Sequence, residues 1–157
     1  MSERPKEDKK LVCSNRRARR NYHIEETYEA GLVLTGSEVK ALRAGQANLS
    51  DAYARPRGNE LFMLNAHISP YDRARDNHVP ERERKLLMHR REITKLSIKL
   101  RERGFTLIPL ELYFKGSHAK VSLGLARGKR ESDKRQDISK RETDRKLSRI
   151  LKRHTRR

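Results

Sequence analysis

Five segments of the chain are typical of β-strands, and three of them contain apolar positions that alternate with the period of two that places successive residues on opposite faces of a strand. The segments are 22–34, 48–55, 62–68, 105–114 and 118–126. In the first segment, alternate positions from Tyr28 to Leu34 share one apolar face. In the last, every second position from Ala119 to Leu125 is apolar, and the positions between are polar or glycine. The pattern therefore predicts five strands.

The last two segments form a predicted hairpin around 115–117, and Pro109 marks a bulge or an edge position in its first strand. Gly58 and Asn59 give the turn into the third strand. In that strand we expect four side chains to face the core, namely Phe62, Leu64, Ala66 and Ile68. The side chains expected on its other face are Met63, Asn65 and His67.

Two predicted helices interrupt the strands. Thr35 and Glu38 have the spacing of a capping box, and Gly45 supplies a C-terminal stop. A second helix covers about 89–103, with Gly104 past its end. Five strands with a helix between the third and the fourth resemble the layout of an OB-type barrel. We therefore predict a mainly β fold, an OB-like β-barrel with two or three helices.

The two ends of the chain differ from the middle. The net charge is +18, and residues 128–157 hold 13 of the 39 basic residues but only 5 of the 21 acidic ones. Since this segment has few large apolar side chains, it cannot offset the entropy lost on ordering by itself. We predict a disordered N-terminus over 1–11, a barrel domain over 12–127, and a basic tail over 128–157 that is disordered until bound.

Composition excludes several classes of protein. The apolar runs are too short for a spanning helix, and no apolar stretch follows the basic N-terminus as in a signal peptide. One cysteine, Cys13, favours a cytoplasmic protein without a disulfide or zinc cluster. Catalytic motifs are absent, and His67 and His78 match no common metal spacing, so we expect neither enzyme nor cofactor. The charge indicates a polyanion, most simply nucleic acid.

A run of arginines follows Asn15 and precedes the first predicted strand. It contains Arg16, Arg17, Arg19 and Arg20. Because guanidinium groups pair with phosphates in a bidentate manner, four of them in five residues predict a clamp on a nucleic-acid backbone. The alternative is a solvated charged segment.

Three other positions are candidate contacts with RNA. Glu29 is a carboxylate on a basic protein, and it either faces solvent on a strand or accepts hydrogen bonds from base amino groups. Lys85 and Leu87 lie in an apolar patch beside charge. That patch either wedges against RNA or packs against the following helix. Glu38, by contrast, is expected to have the structural role of a helix cap.

The tail contains three acid-before-base pairs at i,i+4 spacing, which is the favourable orientation on a helix. Each pair stabilises a helix by only a few tenths of a kcal/mol, so the helix stays marginal until a partner adds to it. A tail that becomes helical in an RNA-lined channel fits this composition. A permanently disordered, solubilising tail is the alternative.

Several motifs in the same order resemble those of the SsrA-binding protein (small protein B) family, the tmRNA partners in bacterial trans-translation. The resemblance runs from about Val12 to Arg145. The motifs are Asn15-Arg-Arg-Ala-Arg, Tyr28-Glu-Ala-Gly-Leu, Gly36-Ser-Glu-Val-Lys-Ala-Leu-Arg-Ala-Gly, Asn48-Leu-Ser-Asp-Ala-Tyr, Ile68-Ser-Pro-Tyr, Arg84-Lys-Leu-Leu, Gly128-Lys-Arg and Asp133-Lys-Arg.

The resemblance implies an OB-like barrel that binds the tRNA-like domain of tmRNA and accompanies it into a stalled ribosome as a monomer. It implies that Asn15, Glu29 and Leu87 contribute to tmRNA binding. A structural or assembly protein of the ribosome, bound permanently to rRNA, is the alternative that composition alone leaves open.

The resemblance also implies that the tail probes the empty mRNA channel and contacts rRNA of the decoding centre. Gly128 corresponds to a flexible joint, and the ribosome-contacting residues that follow it are Lys129, Arg130, Asp133, Lys134 and Arg135. This chain departs from many relatives at Ser132, where they carry an aromatic residue or histidine able to stack on a ribosomal base.

Overall fold

Nine strands and four helices make up the part of the chain that the computed structural model describes, residues 8–102, 104–129 and 131–155. The strands are β1 (Lys9–Ser14), β2 (Tyr22–Leu32), β3 (Ala47–Asn48), β4 (Tyr53–Arg57), β5 (Glu60–Leu64), β6 (His67–Ile68), β7 (Arg84–Leu87), β8 (Phe105–Lys115) and β9 (His118–Gly128). The helices are α1 (Arg16–Asn21), α2 (Gly36–Arg43), α3 (Arg90–Leu100) and α4 (Glu131–Thr155). The prediction of a mainly β fold is confirmed.

Seven strands form one sheet in the order β1-β8-β4-β5-β7-β2-β9. Because β9 also pairs with β8, six of these strands form a closed ring of hydrogen-bonded neighbours. Both β1 and β4 pair with β8, β4 at Leu107 and β1 along 111–115. The short strands β3 and β6 pair separately, with Ala47 opposite Ile68. Every pairing is antiparallel.

The predicted hairpin of β8 and β9 is confirmed. Lys115 lies opposite His118 across a two-residue turn in which Gly116 has a φ of +61°, a conformation that favours glycine. The bulge predicted at Pro109 is present, since the register shifts between Pro109 and Glu111. On β9 the apolar alternation faces the main core, where Val121 and Leu123 are fully buried.

The face predicted for the third strand is wrong over its first half. Leu61 and Met63 of β5 are fully buried, whereas Phe62 and Leu64 are only half-buried. Ala66 and Ile68 are buried as predicted. The cause is Asn65, whose positive φ of 60° interrupts the extended backbone, so that alternation does not run through it.

The start of the chain also differs from the expectation. β1 begins at Lys9, within the segment 1–11 that the composition predicts to be disordered, and pairs with β8 from Lys9 opposite Lys115. The edge of β8 supplies backbone hydrogen bonds that order β1, and the composition of a segment gives no information about such a neighbour. The arginine run is helical in α1, and residues 1–7 lie outside the described residues.

The helix predictions are confirmed in position. At the start of α2 the backbone N–H of Thr35 donates to Glu38 Oε1 at 2.9 Å, and past its end Gly45 has a φ of +74°. α3 packs Ile93 and Leu96 into the core. The described side chains of α4 are exposed except that of Asp137, which is half-buried, and the dependence of the helix on a partner stays a prediction. None of the helices in the described ranges is long and apolar enough to span a membrane.

Glu38 does more than cap α2, because it forms a fully buried ion pair with Arg84 at the start of β7. Arg82 Nη2 lies 2.5 Å from the other carboxylate oxygen of Glu38. Arg84 Nη1 and Nη2 donate to the carbonyls of Ala66 at 2.7 Å and Pro80 at 2.9 Å. Burial raises the pKa of Glu38, but the hydrogen bonds from Arg82, Thr35 and Arg84 outweigh burial and lower it to about 2.

Replacing Glu38 by Gln should lower the free energy of unfolding at pH 7 by about 3 kcal/mol, because Arg84 loses its charge partner in the interior. The folded-state pKa is depressed, so the stabilisation is present above about pH 4.5 and is lost as the pH falls toward 2. Urea titrations of both proteins at pH 7 and pH 3 should show the difference shrinking at the lower pH.

The matched control is Glu83→Gln, which breaks an exposed pair with Arg57 at 2.6 Å. It should leave the urea midpoint unchanged, since exposed ion pairs contribute little. Equal effects of the two substitutions would contradict the importance of the buried pair.

Candidate nucleic-acid interface

Strands β2, β8 and β9 have two faces, one toward the main core and one away from it. The second, here called the outer face, carries Thr27, Glu29 and Gly31 of β2, Lys120, Ser122 and Gly124 of β9, and Glu111, Tyr113 and Lys115 of β8. Helix α1 covers one end of the outer face, where Ala18 packs in a small cluster with Ile108, Leu110 and Ala126. At the other end, here called the open end, Tyr113 is buried whereas Glu29 and Lys115 are half-exposed.

Asn15 fixes α1 in place. Its Oδ1 accepts from the N–H of Ala18 at 3.1 Å, and its Nδ2 donates to the carbonyls of Leu49 at 3.0 Å and Pro109 at 3.1 Å. Its own N–H donates to the carbonyl of Leu110, inside the bulge of β8. Both amide hydrogens of this buried side chain are therefore used within the protein, and the structure places Asn15 under the arginine helix rather than on its surface.

The four arginines of α1 are exposed, because burying Ala18 turns them outward. Arg17 Nη1 lies 3.4 Å from Asp51 Oδ1, with both side chains well exposed. Arg16, Arg19 and Arg20 have no carboxylate at ion-pair distance among the described residues. Unpaired guanidinium groups on a surface are available to pair with phosphates.

At the open end of the outer face, Glu29 is held by two side chains. Tyr113 donates its hydroxyl to Glu29 Oε2, and Lys115 Nζ lies 3.5 Å from Oε1. The hydrogen bond from Tyr113, aided by the charge of Lys115, lowers the pKa of Glu29. Burial, followed by the contact with Glu29, raises the pKa of Tyr113. Glu29 is thus a half-exposed, ionised acceptor with a fixed orientation.

Strand register aligns one row of residues across five strands of the outer face. The row runs Leu87 (β7), Gly31 (β2), Lys120 (β9), Tyr113 (β8) and Leu11 (β1). Its ends, Leu87 and Leu11, are 53% and 54% exposed, which is unusual for leucine and leaves apolar contacts available. Gly31 lets Leu87 lie close, since a Cβ at Gly31 would sit 3.2 Å from that of Leu87.

Lys85 lies two residues before Leu87 on β7, and its Nζ is 3.0 Å from Glu60 Oε1 in an exposed pair. The alternative that this patch packs against the following helix applies to Leu86, which is buried in the core, and not to Leu87. His78, considered as a metal ligand, is hydrogen-bonded to Ser37 Oγ at 2.9 Å and to the carbonyl of Ile68 at 2.8 Å.

The tail begins beside α1. Gly128 ends β9 opposite Tyr22, and the N–H of Lys129 donates to the carbonyl of Asn21 at 2.8 Å. Lys129 Nζ forms an ion pair with Asp137 of α4. Arg135 lies on α4, while Arg130 and the side chains of Ser132, Asp133 and Lys134 lie outside the described residues.

Two residues of the candidate interface were not predicted from the sequence, namely Tyr113, which is buried, and Leu11, which is 54% exposed. Tyr113 sits in an apolar run and so looks like core. The predicted hairpin does indicate its position, however, because pairing Lys115 with His118 places Tyr113 opposite Lys120 on the outer face. Leu11 was missed with the whole of β1, since three charged residues precede it.

Comparison with known proteins shows similarity over nearly the whole chain. A family model described as SmpB protein matches residues 12–153. The SsrA-binding protein of Thermobifida fusca (strain YX) is 54% identical over 158 residues, 98% of this chain and 99% of the relative. The SsrA-binding protein of Desulforudis audaxviator (strain MP104C) is 57% identical over 148 residues, 94% of this chain and 97% of the relative.

The fold is also similar to that of a chain in a solved structure described as "tmRNA-SmpB: a journey to the center of the bacterial ribosome". The TM-score is 0.66 at 46% sequence identity, and the match covers 80% of this chain and 93% of that chain.

Replacing Tyr113 by Phe should raise the pKa of Glu29 toward its ordinary value, because the hydroxyl that stabilises the carboxylate is removed while the ring remains. The pKa of Glu29 is measured by following its carboxyl carbon by NMR through an acid titration. The control is Tyr28→Phe, which removes the same kind of hydroxyl bond from Glu26. The control substitution should raise the pKa of Glu26 and leave the pKa of Glu29 unchanged. If the pKa of Glu29 shifted in Tyr28→Phe but not in Tyr113→Phe, the Tyr113 hydroxyl would not be the group that lowers it.

Proposed function

Because the chain belongs to the SmpB family of SsrA-binding proteins, we propose that it binds tmRNA and accompanies it to stalled ribosomes in the bacterial cytoplasm for trans-translation. It does so as an RNA-binding adaptor with no catalytic chemistry of its own. The closed ring of strands is an OB-like barrel, a fold that binds oligonucleotides on an exposed face and its flanking loops.

The observation that carries this proposal is that the outer face has the arginines of α1 at one end and the carboxylate of Glu29 at the other. One end presents four exposed guanidinium groups on α1, and the other presents the oriented carboxylate of Glu29 between two exposed leucines. Phosphate contacts position a protein on RNA, and acceptors that meet base edges add sequence information. The two ends therefore have different tasks, with α1 holding the backbone and Glu29 contacting a base edge.

The other predicted contacts follow from this division. Leu87 and Lys85 extend the base-contacting end along β7, where an apolar side chain beside a cation suits an unstacked base and its phosphate. Asn15 acts through α1, whose position it sets. The partner is the tRNA-like domain of tmRNA, with one protein monomer on each RNA.

The tail has the second partner, the rRNA of the decoding centre and mRNA channel. Gly128 and Lys129 join it to the barrel, and contacts from Arg130, Asp133, Lys134 and Arg135 follow. Helix α4 carries its positive charge along an exposed surface, as a segment that enters an RNA-lined channel requires. Ser132 has no ring, so it cannot make the stacking contact with a ribosomal base that the aromatic residue or histidine of many relatives can make.

Replacing Arg16, Arg17, Arg19 and Arg20 together by Ala should weaken binding to tmRNA and reduce its salt dependence. Each lost single-strand phosphate contact lowers the slope of log Kd against log salt by roughly 0.7. Filter-binding or fluorescence titrations across a range of salt concentrations measure both quantities.

The control changes four cations of α3 and its C-terminal flank to Ala, namely Arg90, Arg91, Lys95 and Arg101, for the same loss of charge. These residues are exposed and belong to a helix that packs against β5 and β8. The control should keep most of the slope. Equal slopes for the two variants would mean that net charge, and not the α1 clamp, governs binding.

Replacing Ser148 by Pro should abolish peptide tagging on stalled ribosomes while leaving the affinity for tmRNA unchanged. Proline within a helix costs about 3 kcal/mol and alters no charge here, so it tests whether the tail must be helical on the ribosome. Ser148→Ala, at the same position, should tag normally. Normal tagging by the proline variant would contradict a helical tail.

A further inference from the structure

Arg57 and Phe62 stack on each other on the outward side of the hairpin formed by β4 and β5. The guanidinium carbon of Arg57 lies 4.9 Å from the centroid of the Phe62 ring. Strand register explains the contact, because Phe62 lies opposite Arg55, two residues from Arg57 on the same face of β4. Phe62 points outward, since its neighbours in β5, Leu61 and Met63, are buried in the core. A planar cation therefore covers a half-buried aromatic ring.

Glu83 fixes the orientation of this plane. Arg57 Nη1 donates to Glu83 Oε2 at 3.1 Å and Nη2 donates to Oε1 at 2.6 Å, which is the bidentate geometry of a guanidinium and a carboxylate. Glu83 directly precedes Arg84, whose ion pair with Glu38 is buried. The side chain of Arg57 is nevertheless 52% exposed. One face of its plane lies against Phe62 and its edge against Glu83, so a flat ligand can reach the opposite face.

Protein stability does not account for this arrangement. Arg57 and Glu83 form an exposed ion pair, and such pairs contribute little to the free energy of unfolding. An arginine that is held in one conformation also loses side-chain entropy. For binding, the same constraint is favourable, because a group that is oriented in advance loses less entropy when its ligand arrives. The geometry thus suits the recognition of a partner.

Cations lie on both sides of Phe62 in the register of the sheet. Arg55 is its partner on β4, and Lys85 is its partner on β7. Directly paired residues share one face of a sheet, so both cations are on the outward side with Phe62. Leu87 lies two residues after Lys85 and is on that face as well. The stacked pair is therefore one or two strand spacings, about 5 to 10 Å, from the candidate RNA contacts on β7.

We propose that an unpaired base of tmRNA stacks on the exposed face of the Arg57 guanidinium. Phe62 and Glu83 hold that plane, and Arg55 contacts an adjoining phosphate. This rests on the proposed function and extends the RNA contact from β7 to β5 and β4. Unstacked RNA bases have flat surfaces that stack on aromatic rings or guanidinium planes, while neighbouring cations follow the backbone. Because stacking tolerates every base, the site adds affinity more than sequence preference.

The test replaces Arg57 by Lys in the full-length chain, which keeps the positive charge and removes the plane. We expect binding to the tRNA-like domain of tmRNA to weaken about fivefold to tenfold, at the lower end of the loss for one stacked base. The slope of log Kd against log salt should stay the same, because the number of cations is unchanged. Fluorescence titrations at several salt concentrations measure both quantities.

The matched control is Arg127→Lys. Arg127 also covers a phenylalanine, with 4.5 Å between its guanidinium carbon and the centroid of the Phe105 ring. It lies on the side of β9 opposite Lys120, and so away from the outer face. This variant should match the unmodified protein in affinity and in salt slope.

A third variant, Phe62→Leu, keeps an apolar side chain and every charge but removes the ring beneath the guanidinium. It should weaken binding about twofold to fivefold, the range of an exposed cation–π contact, again with an unchanged salt slope. Circular dichroism and urea midpoints of all three variants should match those of the unmodified protein, which shows that a loss of affinity is not a loss of folding.

Normal affinity of Arg57→Lys, or an equal loss in Arg127→Lys, would overturn the stacking site. A lower salt slope in Arg57→Lys would overturn it too, because Arg57 would then be a phosphate contact. If Arg57→Lys bound the RNA normally but failed to tag peptides on stalled ribosomes, the ligand of the plane would belong to the ribosome. Failure of the proposed function would look different, because the unmodified protein itself would then show no preference for the tmRNA domain over an unrelated RNA of equal length.

Discussion

The antiparallel pairing of β8 with β9 is the constraint on which the rest of the structure depends. Successive residues of a strand face opposite sides, so the register that buries Val121 and Leu123 also places Lys120 beside Tyr113 on the outer face. A slip of one residue would exchange the two faces and remove both the core and the interface. Core packing and the arrangement of the outer face are therefore set by a single alignment, and neither can vary independently of the other.

The buried pair of Glu38 and Arg84 also links the interior to the outward-facing side chains, at a distance from the hairpin. Arg84 is the first residue of β7, a strand of four residues that also carries Lys85 and Leu87. A buried charge pair is tolerated when hydrogen bonds satisfy its remaining groups, as the carbonyls of Ala66 and Pro80 do here. The pair joins α2, β7 and the long connection before it, so charges in the interior hold the outward-facing side chains of β7 in position.

Much of this fold could be predicted from the sequence, because β9 alternates between apolar and polar positions and α2 has a capping box. The prediction failed where one residue broke the period, at Asn65, and where order came from a neighbour, as in β1. Helix α1 was missed because Ala18 is its one buried residue and a run of arginines has no apolar stripe. Of the interface, the charges of α1 and Glu29 were visible in the sequence. The hydroxyl of Tyr113 was not, since its role exists only once three strands are aligned.

The ring of strands includes the pairing of β2 with β9, which are far apart in the sequence, with Tyr22 opposite Gly128. Helix α1 packs on Ile108 and Ala126. Its arginines are therefore synthesised early, whereas the strands on which the helix packs are synthesised late. Contacts between distant parts of a chain slow folding, because the intervening loop must be closed before they contribute. A nascent chain that ends before β9 therefore carries the cationic segment without the surface that orients it. Only a nearly complete chain has an assembled outer face with α1 in place on it.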